Sequence, residues 1–235
     1  MSFKPVFAMM EKNQGVLIMC GLVELYKKPA KKIEKTLDLQ VPLELGTFRC
    51  YHPVQIIHNN GQDNQVNKAL WQFLLEQKDG QWKASKYTSF NSRWYEGQGF
   101  KKSFTSAYRE SRCIIPASAF VEGMNKVYHL LKPADGSPIY FGGLFKNWGD
   151  EDNPVNSASM ITIPPHPKLE GIHNKAMPLM IPENDLDMWL DPEFHNTDAF
   201  TDLMQPQLKT DFEVVKIKGW SQVEPIDDGF EIKAD

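Results

Sequence analysis

The chain has 235 residues, 41% of them hydrophobic and 24% charged, with a net charge of −4. This suits one folded domain with a sizeable core. It excludes a helical membrane span, which needs about 20 continuous apolar residues, and it argues against blanket attraction to nucleic acid. Three cysteines, Cys20, Cys50 and Cys113, without CxxC spacing or an export signal, predict reduced thiols in a cytoplasm; no metal site and no cofactor is expected.

Residues 20–26 alternate like a strand, and "AKKIEKTL" after Pro29 has the spacing of a short helix opened by proline. "HNNGQDNQ" at 58–65 is a loop by its Asn and Gly content, and "KALWQFLLE" behind it predicts a buried strand. Residues 111–123 and 137–148 are apolar and β-rich, and 156–166 reads as a strand stopped by Pro164 and Pro165. "ENDLDMWLD" and "DAFTDLMQP" have helical spacing with acidic starts, and "DFEVVKIKGW" alternates as a last strand. Strands dominate the middle and no βαβ rhythm appears. The pattern therefore predicts an α+β single domain: a largely antiparallel, barrel-like β-sheet with flanking helices. The expected organisation is an N-terminal extension at 1–18, a domain at 19–225 and an acidic tail at 226–235.

Several residues could carry chemistry. Cys20 stands in "VLIMCGLVEL". A cysteine at a chain's N-terminus offers a thiol of pKa about 8.5 and an α-amine of pKa about 8. Together they trap an aldehyde: the amine forms an imine and the thiolate closes a five-membered thiazolidine. As an internal residue, Cys20 reads instead as a small buried hydrophobe heading a strand. Asn91 and Arg93 share one face of an extended segment and suit an anionic or polyhydroxylated ligand; the alternative is a solvated loop or an ion pair with Glu96. Glu122 is the one acid in "CIIPASAFVEG", where apolar surroundings raise a carboxyl toward acid–base use, unless it opens an exposed turn before Gly123. His173 suits a proton shuttle or a satisfied structural histidine. Lys101, Lys102, Arg109 and Arg112 interleave with Phe100, Phe104 and Tyr108, which fits single-stranded nucleic acid or a solvated helix face.

The blocks "MCG", "FNSRWYE", "SRCIIPASAFVEG", "MITIPP" and "GIHNKAMPLMI" follow one another as in the SRAP (SOS response-associated peptidase) family, and from Cys20 to about Leu190 the chain resembles that family. The resemblance implies a partner, single-stranded DNA containing abasic sites, whose open-chain deoxyribose exposes an aldehyde. It implies a covalent thiazolidine crosslink through an N-terminal cysteine, with lyase-like chemistry. In this reading Cys20 is the nucleophile and Asn91 orients cysteine and sugar. Glu122 assists imine formation, and His173 protonates the ring oxygen or relays protons as the ring opens. Arg93, Lys102, Thr162 and Lys175 fall where the family contacts phosphates. A thiol-peptidase activity that removes whatever precedes the cysteine, a monomeric state and a cytoplasmic, nucleoid-associated location are also implied.

Departures from the family's usual forms accompany the match. Leu22 stands where an arginine is usual, Gly123 where a tryptophan follows the glutamate, and Lys175 where an arginine offers a bidentate fork. The acid of the second block is displaced to Glu96, and Cys50 takes an asparagine's place before Pro53. Weaker or altered DNA binding is the expectation. Residues 1–18 in front of Met19 allow three explanations: translation from Met19, cleavage after synthesis, or retention. Retention would leave a non-covalent single-stranded DNA-binding relative with Cys20 blocked.

Overall fold

The computed structural model describes residues 20–150 and 152–235, so the expected extension at 1–18 lies outside the described residues. The chain opens with β1 (Leu22–Leu25), α1 (Lys27–Thr36) and β2 (Gly46–Arg49). Two hairpins follow, β3 (Pro53–Asn59) with β4 (Asn64–Trp71) and the small β5 (Leu75–Lys78) with β6 (Gln81–Ala84). Next come β7 (Asn91–Tyr95), β8 (Gly99–Phe100) and α2 (Lys102–Glu110). The middle of the chain is β9 (Arg112–Ala117), β10 (Ala119–Met124), β11 (Val127–Pro133), β12 (Ile139–Asn147) and β13 (Asn156–Ile163). After β14 (Met177–Pro178) and α3 (Leu186–Leu190), strands β15 (Phe212–Gly219), β16 (Gln222–Pro225) and β17 (Phe230–Ile232) complete it.

Strands β12, β9, β3, β4 and β13 pair in that order, and β13 pairs back to β12, closing a five-stranded barrel. A second sheet runs β16-β15-β11-β10-β1-β2, with β17 on β15. Pairing is antiparallel except where β13 meets β4 and β7. The α+β, barrel-like architecture read from the sequence is the one observed. A single residue, Ser118, separates barrel strand β9 from sheet strand β10. Its N–H donates to Glu24 O at 2.7 Å and its hydroxyl accepts from Tyr26 N at 2.8 Å, which ties the corner to the end of β1.

Alternation along the second sheet sorts its side chains onto two faces. Phe120, Leu131 and Val214 join the main core with the barrel, and Phe120 meets Phe141 and Phe212 edge-on. Leu22, Val121, Leu130 and Ile217 form a smaller cluster on the opposite face. Two residues with positive φ, Asn125 and Lys126, make the tight turn between β10 and β11, and Met124 pairs with Val127. This is the twist-compatible hairpin turn that tolerates left-handed backbone. In α1, Ala30 and Ile33 are buried while the lysines project outward.

Four local expectations change. "KALWQFLLE" is not one strand: β4 stops at Trp71, because the buried Gln72 side chain bonds Tyr87 O and Ser89 N in place of a ladder. "DAFTDLMQP" forms two 3₁₀ turns, Thr197–Phe200 and Asp202–Met204. Residues 226–235 are no loose tail: β17 pairs with β15, Ile232 is buried, and Asp235 accepts from Leu208 N and Lys168. Arg112 is no surface cation. It is buried, and its guanidinium donates to the carbonyls of Tyr108, Arg109, Trp189, Asp191 and Phe194 at 2.7–2.9 Å. It thereby holds α2, α3 and the turn after α3 onto the barrel. Arg112→Met leaves those carbonyls unsatisfied and should lower the unfolding free energy by about 3–5 kcal/mol, read from the urea midpoint with the slope of the transition unchanged.

Candidate functional site

Antiparallel pairing of β1 with β10, Val23 opposite Phe120, brings the segment just before β1 beside Glu122. There Cys20 adopts a left-handed φ of 43°, uncommon for a residue with a Cβ. In that conformation its N–H donates to Glu122 Oε2 at 3.3 Å and its thiol donates to Glu122 Oε1. One carboxyl thus contacts both the nitrogen and the sulfur of a single cysteine. Both residues are sealed from water, at 1% and 2% exposure.

Burial sets the electrostatics. Desolvation lifts the Glu122 carboxyl to about 7, against the lowering effect of its two bonds from Cys20. Burial likewise raises the Cys20 thiol well above its ordinary value, and the Glu122 charge adds to it. Cys50 and Cys113 are buried thiols too, with Cys50 pushed up to about 12, and among the described residues no carboxyl is bonded to either.

His173 lies against the same strand. Its Nδ1 is 3.0 Å from Gly123 O, and since a carbonyl only accepts, Nδ1 carries the proton. Nε2 is therefore left as an acceptor, and it has no hydrogen-bond partner among the described residues. Burial lowers the imidazole's pKa, and the positive charges of Lys175 and Arg93 lower it further, while the Gly123 bond opposes them. The net lowering favours the neutral imidazole.

The barrel supplies the other wall. Arg93 on β7 is in parallel register with Thr162 on β13, and Asn91 lies two residues earlier on the Arg93 face. Arg93 Nε and Thr162 Oγ1 are buried without hydrogen-bond partners among the described residues, and the guanidinium lies 5.5 Å from the Tyr95 ring centre. Buried polar atoms left open in this way are rare and call for a ligand or water. Lys175 is exposed beside His173. Lys102 is exposed at the start of α2, beside Arg109 and Phe100, and no hydrogen bond or ion pair joins it to Cys20, Glu122 or His173. Among the described residues no three His, Cys, Asp or Glu side chains gather as a metal site.

Two departures acquire structural detail. Leu22 is fully buried in the cluster with Val121, Leu130 and Ile217, on the face away from Glu122. At Gly123 a Cβ would stand 2.5 Å from Tyr128 Cδ1, so the glycine lets the cross-strand Tyr128 ring lie over the backbone. Tyr128 and Trp220 then stand 6.3 Å apart between ring centres, an aromatic pair assembled from neighbouring strands. The sequence reading overlooked the Gly123 carbonyl as the group that fixes the His173 tautomer. A further residue without a local signal is His129, which lies opposite Glu122 because "MNKV" forms the hairpin turn.

The raised Glu122 pKa carries a sign. Between about 4.5, its unfolded value, and about 7, the folded state holds the proton more tightly, so stability falls as pH rises through that window. Above it the buried carboxylate costs about 3 kcal/mol. Glu122→Gln should therefore raise the melting temperature at pH 8 and change it little at pH 4.5, as measured by calorimetry at both.

The chain is 28% identical over 218 residues to the abasic site processing protein YoqW of Bacillus subtilis, covering 85% of this chain and 92% of YoqW. It is 27% identical over 218 residues to YobE of the same organism, another abasic site processing protein, with 85% and 94% covered. Solved structures of the same fold include a protein from Bordetella bronchiseptica, at TM-score 0.66 and 19% identity over 85% of this chain and all of that one. Another, from Bacteroides thetaiotaomicron, has TM-score 0.61 and 18% identity over 85% and 92%. The model of the SOS response associated peptidase (SRAP) family matches residues 19–220, and the chain belongs to that family.

Proposed function

We propose that the protein processes abasic sites in single-stranded DNA by forming a thiazolidine between the lesion's aldehyde and Cys20 once its α-amine is free. The observation that carries this reading is the buried Glu122 carboxyl, lifted to about 7 and bonded to both reacting atoms of Cys20. Near neutral pH such a group exists in both forms, as an acid–base catalyst must.

The steps balance. An abasic deoxyribose is a ring hemiacetal. His173 Nε2, with its open lone pair, takes the proton of the C1 hydroxyl and returns it to the ring oxygen as the C1–O bond breaks, which liberates the aldehyde. The α-amine of Cys20 adds to the carbonyl carbon. Protonated Glu122 supplies the proton with which the hydroxyl leaves as water, giving the protonated imine, which keeps its N–H proton. The resulting carboxylate accepts the thiol proton, and the sulfur closes on the imine carbon. One water is lost overall and no redox partner is required. Asn91 orients the sugar; Arg93, Thr162, Lys102 and Lys175 receive phosphates, Arg93 and Thr162 through buried polar atoms that lack partners among the described residues.

The same contact supports autoprocessing. Within a longer chain, Cys20 Sγ can attack the carbonyl of the preceding peptide bond while Glu122 takes the thiol proton and passes it to the departing nitrogen. Water then hydrolyses the thioester and restores the thiol beside a free amine. The alternative function, a non-covalent single-stranded DNA-binding module, applies if the amine stays acylated.

Intact mass of the protein from its native host, before and after incubation with an abasic oligonucleotide, tests the proposal. The expected result is a chain beginning at Cys20 that gains the oligonucleotide mass less one water. Cys20→Ala should form no adduct, and Glu122→Gln should form it about 100- to 1,000-fold more slowly. A chain that retains residues 1–18 and gains no mass would overturn the covalent reading in favour of the binding module.

A further inference from the structure

Glu122 does not stand alone on its face of the sheet. It pairs in register with His129 on β11, and His129 pairs in register with Lys216 on β15. One step along each strand toward the interior, the same face carries Phe120, Leu131 and Val214 of the main core. The residues between, Val121, Leu130 and Val215, belong to the opposite face. Alternation therefore puts the Glu122, His129 and Lys216 side chains in one transverse row. Directly opposed Cβ atoms lie about 5 Å apart, so the row extends about 10 Å from the reactive carboxyl toward the sheet's edge.

This row is where the interior turns from apolar to polar. His129 is half-buried, and its Nδ1, out of contact with water, has no hydrogen-bond partner among the described residues. The charged groups around it are Lys216 on β15 and Asp227 beyond β16; Asp227 accepts from the Lys216 backbone N–H at 2.9 Å. The Lys216 side chain is half-buried and joins no ion pair among the described residues. The row thus ends in an unpaired cation and an open imidazole nitrogen. Arg93 and Lys175 flank His173, which approaches from Gly123.

We propose that His129 and Lys216 form a second phosphate-holding arm of the site, gripping the sugar–phosphate backbone on the side of the lesion away from Arg93 and Lys175. This rests on the reading of the substrate as single-stranded abasic DNA and adds the strand's path. The strand crosses Glu122, with the lesion over Cys20 and cations receiving phosphates on both flanks. The second arm supplies a cationic contact outside the four residues, Arg93, Lys102, Thr162 and Lys175, that the proposed function gives to phosphates.

The test is fluorescence anisotropy of the full chain with a single-stranded oligonucleotide carrying a tetrahydrofuran abasic analogue. That probe has no aldehyde, so it reports binding without the covalent step. Lys216→Ala should weaken binding about 5-fold at low salt and reduce the slope of log K against log salt by about 0.7, the loss of one single-strand phosphate contact. His129→Leu should weaken binding, while His129→Gln, which keeps a hydrogen-bonding side chain, should retain it. Lys216 is half-exposed, so its variant decides the matter even if His129→Leu fails to fold. Wild-type affinity and slope in Lys216→Ala, alongside weakened binding in Arg93→Ala, would overturn the second arm alone. No binding of the probe by the wild-type protein would overturn both the arm and the substrate reading beneath it.

Discussion

A carboxyl group enclosed in an apolar interior must find hydrogen-bond donors or give up its charge, and Glu122 depends on Cys20 for both of the donors assigned to it. Much of the surrounding architecture serves that dependence. β10 has to be an inner strand, with β1 and β11 on either side. The backbone at Cys20 has to enter a left-handed conformation so that N–H and thiol reach the same carboxyl. The five-stranded barrel closes behind β10, where Phe120 meets Phe141 edge-on and Cys20 belongs to the same core. The result is an acid whose proton is held near neutrality by the absence of solvent, beside a thiol whose ionisation the same absence suppresses.

The sequence makes the two members of this pair legible and hides much of what holds them. Glu122 stands out as one acid in an apolar run, and Cys20 heads an alternating segment; both signals are local. The corner at Ser118 is flanked by alanines, and Pro116 lies inside β9, so the turn is marked by its bonds to Glu24 and Tyr26, more than 90 residues earlier. The last ten residues look like a tail because their anchorage comes from pairing with β15 and from Asp235 meeting Lys168 and Leu208, none of which leaves an apolar pattern. Arg112 reads as part of a basic surface patch because composition records its charge and not the five carbonyls that surround it. His129 has no meaningful spacing from Glu122 until the turn at Asn125 and Lys126 fixes the register.

The departures from the family pattern look different once packed. Leu22 is part of an apolar cluster on the sheet's far face, and Gly123 makes way for the Tyr128 ring. Neither change disturbs the contact between Cys20 and Glu122. Lys175 keeps its positive charge near His173 and gives up only the planar fork of an arginine.

The 102-residue separation between Cys20 and Glu122 has a consequence for synthesis. A chain made from its N-terminus at about 5–20 residues per second exposes Cys20 roughly 5–20 s before its carboxyl partner exists. During that interval the thiol has neither burial nor a neighbouring charge to keep it protonated. The cysteine is thus most readily ionised, and most open to stray electrophiles and oxidants, while it is still nascent. Closure of β10 onto β1 is the moment at which its reactivity comes under the control of the fold.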